Sequence, residues 1–315
     1  MRAIQIERFG GPEVLEEANV PEPTSIPGKV LIEVTAAGIN YADIHRVADD
    51  YLADQELPFV PGQEVVGTLA DGSRVVSLVR GGGYAERALG AEDLTFQVAD
   101  GIRDMDALAL MLQGTTAWHL LQTSAKLEAG ETVVVFAGAG GVGSTAVQLA
   151  RLWRAGRVIA VASTDVKREL ARSLGADAVV DSGSPDLAEE LIDANGGRGV
   201  DVVLEMTGGD VFRAALESLA PFGRLVHYGA ASRTMAPAIE PRELMSTCTA
   251  VVGFWLMQCT RAMLEESLDD LWSMTARGDL RPLIGDIYPL SDARRAHEDL
   301  RARSTIGKLA LDPTR

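Results

Sequence analysis

The sequence predicts an α/β protein in two parts: a strand-rich N-terminal region and a doubly wound parallel-sheet domain. Three observations lead there. Residues 1–112 read as β-branched runs punctuated by Pro21, Pro23, Pro27, Pro58 and Pro61. From Glu131, short apolar runs alternate with helical stretches, the pattern of βαβ units and a parallel sheet. Between the first of these runs and its helix lies "AGAGGVG" (137–143), with four glycines in six residues.

The elements follow in order. "MRAIQIERFG" alternates as a strand does, and so does "KVLIEVTAAGIN" (29–40). "EVVGTLADGSRVVSLV" (64–79) is a hairpin, two apolar runs around the turn pair Asp71-Gly72. "GGGYAERAL" is a loop leading into a short strand. From Asp104 the spacing turns helical, with a break expected at Gly114. Strand Thr132–Phe136, the glycine turn, helix Ser144–Arg154, strand Arg157–Ala162 and helix Asp165–Leu174 come next. "ADAVVD", "GVDVVLEMTG" and "GRLVHYGAA" are further parallel strands, and the last two end in small residues. After about residue 264 come an amphipathic helix, a Pro-containing strand, a helix in "SDARRAHEDLRAR" and a final strand "GKLALD".

Bulk properties narrow the function. A length of 315 residues suits two domains, and 47% hydrophobic residues can fill two cores. With 45 acidic against 29 basic residues, the net charge of −16 argues against nucleic acid and anionic membrane surfaces. There is no signal-peptide core and no window near the ~18 apolar residues of a membrane span. Cys248 and Cys259 are too few for a disulfide framework and are expected as small buried residues. A soluble cytoplasmic protein is the expectation.

Gly138, Gly140 and Gly143 satisfy G-x-G-x-x-G, with Gly141 and Val142 between. In a dinucleotide fold these glycines make the turn, admit the pyrophosphate to backbone amides and let helix and strand pack closely. The helix N-terminus then holds the anion. An NAD site usually offers a carboxylate about 20 residues on, against the ribose 2′-hydroxyl. Here the strand ends in Ala162-Ser163-Thr164, followed by Lys167 and Arg168. Hydroxyls and cations suit a 2′-phosphate, so NADPH is favoured, with Lys167 as the preferred cation and Arg168 as helix surface. Asp165 is expected to cap the following helix. Were it to face the ribose, NADH would be favoured.

The chain resembles the zinc-independent quinone oxidoreductases (zeta-crystallin-like) of the medium-chain dehydrogenase/reductase superfamily. The resemblance rests on "AAGINYAD" (36–43), "PFVPGQEVVG" (58–67), "GGYAE" (82–86), "LQGTTAW" (112–118), "AGAGGVGSTAVQLAR" (137–151), "LGADAVVD" (174–181), "GFWL" (253–256) and "IGKLAL" (306–311). It implies a GroES-like barrel-type domain at 1–112 completed by 265–315. A Rossmann dinucleotide-binding domain would span 113–264, with nicotinamide and substrate in a cleft. Zinc-dependent relatives have Cys, His and Cys near Asn40, Gln63 and Gln113, and amides cannot replace that ligand set. Metal independence is therefore expected.

Without a Lewis acid, reducing an electron-poor acceptor is easier than oxidising an alcohol. Asn40 and Gln63 are the catalytic candidates, with Tyr41 and Asp43 beside them. His45, Tyr51 and Tyr84 are further possible donors to substrate. Strand geometry would put Asp43 and His45 on one side. His119 and His297 read as structural, and His227 as a residue able to approach the ribose. Asn40, Thr116, Gly138, Gly140, Gly141, Val142, Gly143, Ser163, Lys167, Tyr228, Gly229, Phe254, Leu256 and Lys308 are expected around the cofactor. Two departures stand out. Ser182 replaces a Tyr common in strict NADPH-dependent relatives, and residues 46–61 are acidic and poor in aromatics for a quinone. The apolar run "VVGFWLMQC" at a sheet edge, with the family habit, implies a homodimer.

The leading reading is an NADPH-dependent quinone oxidoreductase working by metal-independent hydride transfer. One alternative is a reductase of enoyl or other α,β-unsaturated carbonyl substrates. Another, of a different class, is a non-catalytic NADPH-binding redox sensor.

Overall fold

The β-branched alternation of the first third forms strands as expected. β1 (Arg2–Gln5) and β2 (Glu16–Asn19) pair antiparallel. β3 (Lys29–Ile39) leads into α1 (Tyr41–Val47), a helix that the sequence pattern does not announce. β4 (Glu64–Thr68) and β5 (Arg74–Leu78) form the hairpin around Asp71-Gly72, followed by β6 (Arg87–Ala91) and β7 (Thr95–Gln97). The computed structural model describes residues 1–315 except Ser25 and Asp54, so Asp54 of the acidic 46–61 segment lies outside the described residues.

The expected break at Gly114 is absent. α2 (Asp104–Ala109) passes into a π-helical turn (Leu110–Gly114), then α3 (Thr115–His119) and a second π turn (Leu120–Ser124). Gly114 keeps helical angles, φ −66° and ψ −50°. Glycine lowers helix propensity without forbidding the helix, and the wider turn absorbs the irregularity.

The nucleotide-type elements are β8 (Thr132–Phe136), α4 (Gly141–Leu152), β9 (Arg157–Ala162), α5 (Asp165–Ser173), β10 (Ala178–Asp181), α6 (Leu187–Ala194), β11 (Val200–Glu205), α7 (Gly209–Glu217), β12 (Leu219–His227), α8 (Pro241–Thr247) and β13 (Ala250–Gly253). α6 and α7 do not stand out in the sequence. These strands form one parallel sheet in the order β10-β9-β8-β11-β12-β13. Counted from β8 that is 3-2-1-4-5-6, the doubly wound order of dinucleotide-binding folds. Every residue of β8 is buried, which is why its sequence is apolar without alternation. Val134, Phe136, Ile159, Val161, Leu191, Val203, Phe212 and Leu225 form its core.

The chain ends in α9 (Arg261–Ala276), β14 (Ile284–Pro289), α10 (Ala293–Arg301) and β15 (Lys308–Asp312). β15 pairs antiparallel with β3, joining the sheet of order β14-β15-β3-β4-β5-β7. The chain divides into two compact units. One comprises Met1–Gln113, Thr260–Gly278 and Pro282–Arg315; the other comprises Gly114–Cys259 and Asp279–Arg281. Among the described residues, no helix is long and apolar enough to cross a membrane. Neither cysteine is buried as expected: Cys248, which ends α8, is exposed and Cys259 is half-buried.

Candidate functional site

In the first unit, β3, α1, β4 and β15 bring charged and amide side chains together in the interior. Asn40 precedes α1 and is 5% exposed. Its Nδ2 donates to Glu64 Oε1 at 2.8 Å, and its Oδ1 accepts from Lys308 Nζ and from Gln113 Nε2, both at 3.1 Å. Lys308 Nζ is also ion-paired with Glu64 Oε1, and neither side chain is exposed. The π turn contributes as well, because the Leu112 amide donates to Glu64 Oε2 at 3.1 Å. Only an oxygen can face an ammonium, so these contacts fix the orientation of the Asn40 amide. Both Oδ1 lone pairs are used, and one Nδ2–H remains. Gly38 makes this approach possible, since a Cβ there would lie 2.6 Å from Lys308 Nζ and 2.6 Å from Glu64 Cγ.

Gln63 is 3% exposed, and its buried Nε2 has no hydrogen-bond partner among the described residues. Gln113 Oε1 is likewise buried without a partner among them. An unsatisfied buried amide group costs about 1–3 kcal/mol, so each of the two calls for a partner that a bound molecule would supply.

The other candidates separate. Asp43 Oδ2 accepts from the Asn40 amide at 2.9 Å, tying the start of α1. Burial pushes the Asp43 carboxyl up to about 6, opposed by the Asn40 amide bond and by Arg46 and Lys308. The folded-state value is the higher one. Stability from this group is therefore complete below about pH 4 and lost as the pH rises through about 6. Asp43→Asn should raise the urea midpoint at pH 7 relative to that at pH 4.5, compared with the unsubstituted protein. Tyr41 turns its hydroxyl to the Leu300 carbonyl at 2.9 Å, binding α1 to α10. Tyr84 is fully buried, with its hydroxyl 3.0 Å from His297 Nε2. Asp43 and His45 do not share a side, because residues two apart on a helix point apart. His45 Nδ1 meets Asp50 Oδ1 at 2.8 Å instead.

In the second unit the glycine turn leaves β8. Ala137 sits at φ +50°, and Gly140 accepts extended angles before α4 begins. Gly138 N donates to Val161 O at 3.0 Å, closing the turn against β9. A Cβ on Gly143 would lie 2.7 Å from the Ala137 carbonyl carbon, so bare backbone is required there. The first-turn amides of α4 (Gly141, Val142, Gly143) have no intrahelical acceptor, and such a turn fits a pyrophosphate. Ser163 is exposed just past β9, and Lys167 lies in the first turn of α5. Thr164, not Asp165, caps that helix, accepting from Lys167 N at 3.3 Å. Thr116 is buried in α3, and Gly229 is exposed past β12. Tyr228 N donates to Glu205 O at 3.1 Å, and Phe254 N to His227 O at 3.0 Å. Leu256 is buried in a short 3-10 turn. His227 is committed to the buried Glu205, Nδ1 to Oε2 2.9 Å, with its ring edge on Phe212.

Comparison with known proteins follows this geometry. Residues 26–98 match the family described as alcohol dehydrogenase GroES-like domain, and residues 141–273 match that described as zinc-binding dehydrogenase. The quinone oxidoreductase of Rattus norvegicus is 31% identical over 324 residues, covering 99% of this chain and 97% of the relative. The chain belongs to the quinone oxidoreductases of the medium-chain dehydrogenase/reductase superfamily. A probable quinone oxidoreductase of Schizosaccharomyces pombe is 33% identical, covering 98% of this chain and 96% of its own. The Escherichia coli quinone oxidoreductase complexed with NADPH superposes with a TM-score of 0.94 at 29% identity, covering 99% of this chain and 100% of that one. The Thermus thermophilus quinone oxidoreductase, solved with and without NADPH, is 37% identical with a TM-score of 0.87 and the same coverage.

One matching family carries zinc in its description, yet the donor set of this quinone oxidoreductase does not fit the ion. The residues around Asn40 are amides and two carboxylates, Glu64 already paired with an ammonium and Asp43 tied to the Asn40 amide, whereas zinc sites are built on thiolate or imidazole. Among the described residues, no group of three or more His, Cys, Asp or Glu could hold a metal. Sequence reasoning placed Lys308 by the cofactor, and the structure buries its ammonium on Glu64 and Asn40. Gln113, grouped with Asn40 by the sequence, does meet it, Nε2 to Oδ1 at 3.1 Å. The pairing of residues 244 positions apart leaves no local pattern to read.

Proposed function

We propose that this quinone oxidoreductase reduces quinones with NADPH by metal-independent hydride transfer. The observation that carries the reading is likeness to quinone oxidoreductases along the entire chain, two of them solved with NADPH. The donor chemistry agrees with it. The fixed charge beside Asn40 is Lys308, an organic cation balanced by Glu64. Reduction of an electron-poor carbonyl needs only alignment and a donor for the developing oxyanion. NADPH, when bound, supplies the hydride. Gln63 Nε2 and the remaining Asn40 N–H are the donors this reading assigns to that oxygen, with Lys308 and Gln113 holding Asn40 in place. Asp43 ties the start of α1, and Tyr41 keeps α1 against α10.

The cofactor reading assigns the pyrophosphate to the amides of Gly141, Val142 and Gly143, and the adenosine end to Ser163 and Lys167. Thr116, Tyr228, Gly229, Phe254 and Leu256 belong to its further lining by family resemblance. The test is loss of NADPH absorbance with p-benzoquinone and with a simple enone, before and after chelator treatment. Quinone-dependent oxidation unaffected by chelator supports the reading. Turnover of the enone alone turns it toward an α,β-unsaturated carbonyl reductase. NADPH binding with no oxidation by either acceptor turns it toward a redox sensor.

The reading also includes a cytoplasmic homodimer. β13 is an edge strand with free ladder positions, and it is flanked by exposed apolar side chains, Phe222 at 81% and Met245 at 78%. Phe222 is held beside β13 because its amide donates to Cys248 O at 2.7 Å. Phe222→Asp should lower the sedimentation mass from dimer to monomer at micromolar concentration, with the far-UV spectrum unchanged.

A further inference from the structure

We propose that Asp165 is an exchangeable counter-ion of Arg168, and that the 2′-phosphate of NADPH takes its place on that guanidinium. The inference rests on the NADPH reading and assigns its selectivity to residues that the sequence had set aside. Arg168 lies on α5, yet its side chain folds back over the sheet. Nη1 donates to Ala162 O at 3.1 Å and meets Asp181 Oδ2 at 3.0 Å. Ala162 ends β9 and Asp181 ends β10, and the two are register partners. The guanidinium therefore spans the carboxyl ends of the second and third strands, counted from β8. In dinucleotide folds the adenosine ribose meets the protein at the end of the second strand.

Nη2 of Arg168 holds Asp165 Oδ1 at 2.6 Å. The Arg168 side chain is 18% exposed, whereas that of Asp165 is 97% exposed. An ion pair with so exposed a partner holds by a factor of about five at most. A phosphate carries nearly twice the charge and matches the planar guanidinium with two oxygens, so it displaces the carboxylate. Asp181 and the Ala162 carbonyl stay behind Arg168 and keep it in place during the exchange. Asp165 thus neither caps α5 nor faces a ribose. It closes the phosphate position until a 2′-phosphate arrives, and with NADH the pair stays closed.

The test is calorimetric titration of the intact protein with 2′,5′-ADP and with 5′-AMP, which differ only in the 2′-phosphate. Asp165→Asn should tighten 2′,5′-ADP about threefold to fivefold and leave 5′-AMP within about twofold. Arg168→Gln should weaken 2′,5′-ADP at least about tenfold and spare 5′-AMP. The inference is overturned if Asp165→Asn leaves 2′,5′-ADP unchanged or weaker, or if Arg168→Gln weakens both probes alike. Should the unsubstituted protein prefer 2′,5′-ADP while both variants keep that preference in full, the inference falls and the NADPH reading stands on Lys167 and Ser163. Equal binding of the two probes by the unsubstituted protein removes both.

Discussion

Lys308→Met should destabilise the protein by about 3–5 kcal/mol, because it leaves Glu64 buried and unpaired. Neither side chain is exposed, so water cannot replace the lost ammonium. Glu64 would keep only the Asn40 Nδ2 and Leu112 amide bonds, too little to hold a charge in the interior. Pairing the change with Glu64→Gln removes that charge and should restore most of the stability, since replacing a whole buried pair is often nearly neutral. Chemical denaturation of the two single variants and the double variant measures the coupling directly. The double variant should still turn over poorly. Asn40 Oδ1 would lose the ammonium that only an oxygen can face and keep only Gln113 Nε2, so its amide is held less firmly and its remaining N–H is less well aimed. Recovered stability with unrecovered kcat is the expected pair of results. Equal recovery of both would make Lys308 a purely structural residue.

The second unit was legible because its signals are local. Residues 133–136 and 158–162 are apolar throughout because parallel strands are buried on both faces. Gly140 and Gly143 are confined by atoms only a few residues away, those of Ala137 and Phe136. The first unit's sheet could be read from alternation, whereas α1 could not. In "YADIHRV" the polar Asp43, His45 and Arg46 are buried together with Ile44 and Val47, so polar and apolar residues do not separate onto two faces as in an amphipathic helix. That gap produced the expectation of Asp43 and His45 side by side. The site itself was half legible. Asn40, Gln63 and Gln113 stood out as replacements in a pattern. What they do depends on Lys308 and Glu64, which meet only after β15 returns to pair with β3. Arg168, expected as helix surface, has a side chain only 18% exposed, for a related reason. Helical spacing shows where a side chain starts, not that it folds back to reach Ala162 O and Asp181.

Gly143→Ala is expected to abolish NADPH binding and to destabilise the second unit by about 1–3 kcal/mol, as overpacking of a close contact does. The added methyl would meet the Ala137 carbonyl group and lie 2.9 Å from Phe136 O. Neither neighbour is the end of a flexible side chain. Both are backbone at the carboxyl end of β8, and Ala137 is already held at φ +50°. The start of α4 would have to move away from the strand, carrying the amides of Gly141 and Val142 with it. Gly140→Ala provides the contrast. Its backbone is extended at φ −84° and ψ 179°, which any residue adopts, and its added methyl comes no closer than 3.2 Å to the Ala137 oxygen. Stability should therefore be almost unchanged. Binding should still weaken about tenfold or more, because the second glycine of such a turn is bare where the pyrophosphate approaches the backbone. Thermal melting read beside NADPH titration separates the two: Gly143→Ala loses on both axes, Gly140→Ala on binding alone. If Gly140→Ala bound NADPH as well as the unsubstituted protein, the diphosphate would have to lie elsewhere, and the assignment of the α4 amides to it would be wrong.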